Sequence, residues 1–162
     1  MRHSKPGSGA FALGSRQSAG QMTRDEIEAL FARRQQAHDR LDATALAADY
    51  SDDCVVETPW AGAPLIGRAA NEQALRTFFA AFPDLSLQTE GLLIDGEHVA
   101  QVGTSSGTDI GGFLELEPTG KAFRMPVVFL FTLKDGQIVR ERRIYDYTGL
   151  LVQVGILKVK PT

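Results

Sequence analysis

Arg140, Arg142 and Asp146 fall on the predicted apolar face of a half-buried β-strand. Asp135-Gly136, between two apolar runs, predicts a β-hairpin with a two-residue turn. This register places Phe129 opposite Arg142 and Met125 opposite Asp146, so both charges share a face with apolar side chains. Buried charges are costly unless they pair or line a cavity. The charges on this face therefore predict either paired side chains or a polar cavity, and this conflict is the main functional clue in the sequence.

Asp146 is the predicted catalytic group of this site. Proton transfer without a cofactor requires a carboxyl group whose pKa lies nearer neutrality than usual, and apolar burial provides such a shift. The alternative is that Asp146 caps a helix that begins near Thr148, because Asp is a favoured N-cap residue. The residues alone leave both interpretations open.

Two further charged residues are candidates for the same site. Asp109 is a second catalytic candidate, although its position before Gly111-Gly112 also suits a turn carboxylate. Arg142 is a candidate for substrate binding, although it belongs to a charge-rich run and also fits a solvated strand residue. Proton transfer by two carboxylates with an arginine between them would suit epoxide opening.

The pocket wall is predicted from helix periodicity and from aromatic residues. Thr23 and Glu26 fit a capping box at the start of an amphipathic helix, and His38 lies on the apolar stripe of that helix. His38 is a candidate for the pocket wall or, alternatively, a satisfied core histidine. Three aromatic residues are candidates for substrate binding, with ordinary packing as the alternative; Tyr50 and Trp60 would form the pocket mouth, and Phe129 its wall.

Composition excludes several classes of protein. The 162 residues are 43% hydrophobic and 23% charged, and the net charge of −3 argues against nucleic-acid binding. No apolar run approaches the length of a membrane span. Three histidines and one cysteine show no metal-ligand spacing, and no cofactor motif is present, so no metal or cofactor is predicted. The single Cys54, expected to be a buried and unreactive thiol, suits a reducing compartment and favours a cytoplasmic location.

The order of elements predicts the fold class. Residues 1–21 form a predicted flexible leader rich in Gly and Ser, and residues 22–162 a single domain. Ser51-Asp52-Asp53 is a predicted turn before a strand at 54–58. Helices come first and strands later, which favours an α+β fold with a curved antiparallel sheet packed on three N-terminal helices. The sheet has a second apolar face, which predicts a homodimer; its residues are Val128, Leu130, Val139 and Tyr145.

Several motifs in one order resemble a known family. They are Phe82-Pro83-Asp84-Leu85, the segment 103–121, the run Asp135 to Val139, and the segment 146–155. Together they resemble the SnoaL-like polyketide cyclases and ester cyclases of the NTF2-like superfamily. The resemblance covers roughly residues 23–157. It implies a cone-shaped α+β barrel with a deep apolar pocket, commonly dimeric, with Asp146 as the acid/base carboxylate.

The resemblance also frames the functional alternatives. Family members typically carry Thr-His-x-Gly where this chain has Thr108-Asp109-Ile110-Gly111, and often an aromatic residue at Arg142. The leading hypothesis is a cofactor-independent enzyme that acts on a small apolar carbonyl or ester compound. An Asp/Arg/Asp site would instead resemble the limonene epoxide hydrolase branch, which gives an epoxide hydrolase or isomerase as the second hypothesis. The third is a ligand-binding domain without catalysis.

Overall fold

The computed structural model describes residues 20–160, so most of the predicted leader lies outside the described residues. Within residues 20–160, four helices and six strands follow one another. They are α1 (Arg24–Asp39), α2 (Ala43–Ala47), β1 (Tyr50–Glu57), β2 (Leu65–Ile66), α3 (Arg68–Ala81), β3 (Ser86–Asp95), β4 (His98–Thr108), β5 (Ala122–Lys134), β6 (Gln137–Tyr145) and α4 (Tyr147–Gln153).

The first two helices begin at the caps that the sequence predicts. The Thr23 backbone N–H donates to Glu26 Oε2 at 2.7 Å, and Thr23 Oγ1 accepts from the Glu26 N–H at 3.2 Å, which completes the capping box. Asp42 caps α2 by accepting from the Ala45 N–H at 2.9 Å. Helix α3 ends just before Pro83, because proline cannot continue the hydrogen-bond ladder.

The six strands form one open sheet in the order β2-β1-β6-β5-β4-β3. Strands β3 to β6 pair antiparallel in chain order, as predicted, and β1 pairs antiparallel with β2. The turns from β3 to β4 and from β5 to β6 are short, whereas the longer segment 109–121 joins β4 to β5. The pairing of β1 with β6 is parallel, which the sequence did not predict. The fold class is the predicted α+β arrangement. Register shifts in β1, β3 and β6 bend the strands, as β-bulges do, and so favour the curvature of the sheet.

Strand β1 begins earlier than the sequence indicates. Ser51-Asp52-Asp53 continues the strand that starts at Tyr50 and does not form the predicted turn. Both aspartates are exposed, so they carry no burial cost in the strand. The prediction failed because a run of small polar residues has the local preference of a turn, whereas pairing with β6 on both sides of the run, at Tyr50 and from Val55 onward, keeps the chain extended. Cys54 is buried in this strand, as predicted.

A bulge in β6 overturns the predicted hairpin register. Leu133 pairs with Ile138 as expected, but the next pair is Thr132 with Arg140, which leaves Val139 as an extra residue. Beyond this point every β6 side chain changes face, because side chains alternate along a strand. Arg143, and not Arg142, therefore lies opposite Phe129.

Helices cover the inner face of the sheet and form the core with it. One buried cluster surrounds α1, with Ile27, Phe31 and Val56 among its members, and a second surrounds α3 and α4, with Phe82 and Leu150 among its members. Phe129 contacts both clusters. Within residues 20–160, no helix combines the length and the apolar character that crossing a membrane requires.

Candidate functional site

A cavity lies between the helices and the inner face of the sheet. Most of its wall is apolar, and aromatic side chains of α3 and β5 supply much of it. An apolar cavity with a few polar groups is the usual form of a site for a small molecule. The apolar lining comprises Leu46, Trp60, Leu75, Phe78, Phe79, Leu85, Leu87, Met125, Val127, Phe129 and Phe131.

Strand β6 brings a buried ion pair to this cavity. Arg143 donates from Nε to Glu141 Oε1 and from Nη2 to Glu141 Oε2, both at 2.9 Å, which gives a bidentate pair. The Tyr50 hydroxyl donates to Glu141 Oε2 at 2.6 Å. Burial alone would raise the pKa of Glu141, but Arg143 and these hydrogen bonds hold that pKa below its usual value. Glu141 is therefore ionised at neutral pH.

Arg34 extends the network from helix α1. Its Nη2 donates to the Tyr50 hydroxyl at 3.1 Å, and its Nη1 donates to Leu46 O at 3.0 Å and to Asp49 Oδ2 at 3.1 Å. Its guanidinium carbon lies 5.1 Å from the centroid of the Tyr50 ring and 5.5 Å from that of Phe131. A continuous chain of hydrogen bonds thus runs from Asp49 through Arg34 and Tyr50 to the ion pair.

Helix α3 supports the same network through Asn71. The Asn71 side chain is fully buried, and its Oδ1 accepts from Arg143 Nη2 at 3.0 Å. Its Nδ2 is buried and has no hydrogen-bond partner within residues 20–160. Asn71 therefore fixes the orientation of the Arg143 guanidinium and leaves its own amide donors unpaired.

His38 lines the cavity beside these charges. Its ring makes an edge contact with Phe79 at 5.7 Å between centroids, and its Nδ1 is buried without a hydrogen-bond partner among the described residues. Burial lowers the pKa of His38 to about 4; Arg34 and Arg143 act in the same direction, against an opposing effect of Asp39. His38 is therefore a neutral imidazole at pH 7, and the described chain leaves its Nδ1 unused.

The arrangement combines an apolar binding space, a neutral imidazole and fixed charges. Such a site can hold a small apolar compound and can transfer a proton to or from it. Within residues 20–160, no group of three His, Cys, Asp or Glu side chains is arranged to hold a metal ion.

The family model for SnoaL-like polyketide cyclases matches residues 29–154. The chain belongs to the SnoaL-like polyketide cyclase family. The match spans the helices and strands that form the cavity, and it includes Arg34, His38, Glu141 and Arg143. Family membership confirms the resemblance predicted from the sequence and indicates a cyclase-type role in general terms.

Solved structures of SnoaL-like and related proteins show the same fold. AclR, a proposed hydroxylase from Streptomyces galilaeus, is 25% identical with a TM-score of 0.73 over 86% of this chain and 87% of that one. IdmH, a proposed polyketide cyclase from Streptomyces antibioticus, is 26% identical with a TM-score of 0.65 over 81% and 96% of the two chains. A Catenulispora acidiphila protein with a ketosteroid isomerase-like fold, solved with trimethylamine, is 17% identical with a TM-score of 0.67 over 83% and 95%. No curated protein sequence matches the chain.

Asp146 does not lie in the cavity, contrary to the prediction. It is exposed at the N-terminus of α4, where its Oδ1 accepts from the Gly149 N–H at 2.8 Å. This is the capping alternative. The bulge at Val139 changes the parity of β6, and the strand ends at Tyr145, so the predicted pairing with Met125 does not form.

Asp109 and Arg142 also lie outside the cavity lining. Asp109 is fully buried in a turn, where its carboxylate accepts from the N–H groups of Gly112 and Thr119 and from the Thr119 hydroxyl. Arg142 is exposed on the outer face of the sheet. The Asp/Arg/Asp grouping is therefore not assembled, and the structural condition for the epoxide hypothesis is not met.

The remaining candidates line the cavity. His38, Trp60 and Phe129 are partly buried at its wall, whereas Tyr50 is fully buried within the hydrogen-bond network and does not form the predicted mouth. The non-catalytic hypothesis predicted a pocket poor in polar groups, with Asp109 and Asp146 both facing solvent. The cavity contains three charged groups and Asp109 is buried, whereas Asp146 is exposed as that hypothesis predicted.

Sequence reasoning missed Arg34, Glu141 and Arg143 as site residues. Arg34 had a signal, because it is a charged residue on the apolar stripe of α1 and is buried there. Glu141 and Arg143 also had one, since opposite charges two residues apart on a strand share a face and can pair. The expected regular register assigned that pair to the other side of the sheet.

Proposed function

We propose that the chain is a cofactor-independent SnoaL-like enzyme in which His38 transfers a proton to and from a small apolar carbonyl compound. The observation that carries this proposal is neutral His38 at the cavity wall: its ring makes no hydrogen bond within residues 20–160, and its Nε2, unlike the buried Nδ1, keeps accessible surface. Within the cavity lining, Glu141 is already committed to Arg143 and Tyr50. His38 is thus the titratable group with an unused nitrogen.

The proposed reaction is an intramolecular aldol-type cyclisation. Neutral His38 accepts a proton from the carbon next to a carbonyl group, and the electron pair of that C–H bond forms an enolate. The enolate carbon attacks a second carbonyl carbon of the same molecule, and the resulting alkoxide takes the proton back from the imidazolium. Atoms and electrons balance without an oxidant or a reductant.

The charges around His38 favour removal of a proton from the substrate carbon. Burial, together with Arg34 and Arg143, lowers the pKa of His38 to about 4, which makes the imidazole alone a weak base. The same positive field stabilises an enolate, because a negative charge that develops near fixed cations is stabilised in a site of low dielectric constant. The apolar wall holds the body of the substrate and excludes water from the enolate.

Exchange of the α-hydrogens of cyclohexanone with D2O, followed by NMR, tests the proton transfer without knowledge of the natural substrate. We expect the protein to accelerate this exchange and His38→Gln to reduce the acceleration by about 10²–10⁴, the usual contribution of one general acid or base. His98→Gln is the matched control, since His98 is exposed on β4, away from the cavity. A folded His38→Gln protein that retains the full acceleration would contradict the proposal.

A further inference from the structure

Arg143 has hydrogen-bond donors that the described chain does not use. Its Nε and Nη2 donate to Glu141 and Asn71, but its Nη1 makes no hydrogen bond within residues 20–160. Nη1 is also absent from the fully buried unpaired atoms of this part of the chain, so it keeps some accessible surface. The side chain is only 12% exposed and lines the cavity. Nη1 is thus a guanidinium donor that is open to a ligand.

The charges around the cavity leave a positive excess. Arg34 and Arg143 line it with one carboxylate, that of Glu141. The next acid, Asp49, is shared, because it accepts from Arg34 at 3.1 Å and from Arg33 at 2.7 Å. The titratable groups that face the cavity are Arg34 and His38 from α1, Tyr50 from β1, and Glu141, Arg143 and Tyr145 from β6.

Neither His38 nor Tyr50 supplies a negative charge that would offset this positive excess. His38 stays neutral because burial and the two arginines disfavour its protonation. Burial raises the pKa of Tyr50 to about 12, so its hydroxyl does not ionise near neutral pH. A bound anion would balance the positive charge that Glu141 leaves at the cavity wall.

We propose that the ligand of this cavity is an acidic carbonyl compound, bound as an anion whose carboxylate, enolate or phenolate oxygen accepts from Arg143 Nη1. This inference rests on the proposed function only in taking the cavity as the substrate site. Arginine binds anionic oxygen in a fixed planar geometry, and Glu141 and Asn71 hold the guanidinium in place before the ligand enters. A cationic ligand would meet two arginines.

The single Trp60 lines the cavity, so its fluorescence reports binding without any other tryptophan signal. Benzoate and benzamide differ in charge but little in shape, and we expect benzoate to bind about 10- to 100-fold more tightly. 4-Nitrophenol tests the phenolate source of the anion, because its absorbance shows its ionisation. If the site binds a phenolate or enolate oxygen, the pKa of 4-nitrophenol should fall on binding. If the site takes only carboxylates, benzoate should bind and 4-nitrophenol should not.

Adjacent arginines provide a matched pair of variants. Arg143→Met should remove the preference for benzoate, whereas Arg142→Met, on the outer face, should leave it unchanged. Glu141→Gln provides a test in the opposite direction, since loss of the competing carboxylate should tighten benzoate binding. This variant tests the proposal if circular dichroism shows that Arg143→Met does not fold.

Equal binding of benzoate and benzamide by the wild type would overturn the proposal. Equal effects of the two arginine variants would do the same. Either result could occur while His38→Gln still abolishes hydrogen exchange, so the two proposals fail separately.

Discussion

The protonation states of the cavity are determined by buried neighbours and not by solvent. Burial alone would lower the pKa of Arg143, but its pairing with Glu141 raises that pKa well above the usual value. The pKa of Glu141 moves in the opposite direction for the same reason. The pair therefore stays ionised across the physiological range, and His38 stays neutral beside it.

His38 should make the fold sensitive to mild acid. Its pKa is about 4 in the folded protein and about 6.5 in the unfolded chain, so between these values the unfolded state binds more protons. The contribution of His38 to the free energy of unfolding should therefore be fully present above pH 6.5. The free energy of unfolding should fall by about 3 kcal/mol as the pH decreases to 4, since one pKa unit corresponds to 1.36 kcal/mol.

Urea unfolding at a series of pH values measures this dependence. His38→Gln should flatten the slope between pH 6.5 and 4.5, whereas His98→Gln should retain it. The lowered pKa of Glu141 acts in a different window: it contributes stability above about pH 4.5 that is lost at lower pH. An unchanged slope in His38→Gln would show that His38 titrates normally in the folded state.

At the scale of elements, the helices were easier to predict than strand β6, which carries Glu141 and Arg143. Helix α1 depends on local signals, namely a capping box and an apolar stripe, and these place His38 on its inner side. Strand β6 depends on register, which a single extra residue at Val139 reverses. No short-range signal in a β-rich run indicates such a bulge. Residues assigned by helix periodicity therefore lie at the cavity, whereas Arg142 and Asp146 do not.

Helix α4 provides the test of what Asp146 does. Because its carboxylate accepts from the Gly149 N–H, Asp146→Asn should keep the cap and the stability, whereas Asp146→Ala should cost about 1 kcal/mol. Neither variant should reduce the hydrogen exchange of cyclohexanone per folded molecule. Thermal unfolding and the exchange rate are measured on the same samples. A loss of exchange in a stable Asp146→Asn protein would return the acid/base role to this residue.

At the scale of the whole molecule, the order of elements was enough to predict the architecture. Early helices and later hairpins leave few ways to build one core other than helices packed on one side of an antiparallel sheet. The parallel pairing of β1 with β6 was not predictable in this way, because it joins segments from opposite ends of the domain. Local propensity carries no information about such a contact.

The outer face of the sheet has an apolar row that no described helix covers. Val102, Val128 and Ile144 are neighbours on β4, β5 and β6, and Leu130 is 39% exposed next to them. Two residues of the predicted face do not belong to this row: Tyr145 lines the cavity, and Val139 is the extra residue of the bulge. Ile144, which is 46% exposed, takes their place.

We propose that this row forms the interface with a second copy of the chain, since contiguous exposed apolar surface usually marks an interface. Val128 lies at its centre, so Val128→Glu would place a charge opposite the partner's apolar face and leave it desolvated there. We expect the wild type to sediment as a dimer at tens of micromolar and Val128→Glu as a monomer.

Ile110→Glu is the control for this interface. Ile110 is 55% exposed on a loop away from this row, so the variant should leave the dimer intact. A monomeric wild type would contradict the proposal, and so would equal dissociation of both variants. Because Val128 lies on the outer face and the cavity on the inner face, the monomeric variant should retain hydrogen exchange, which separates the interface from the site.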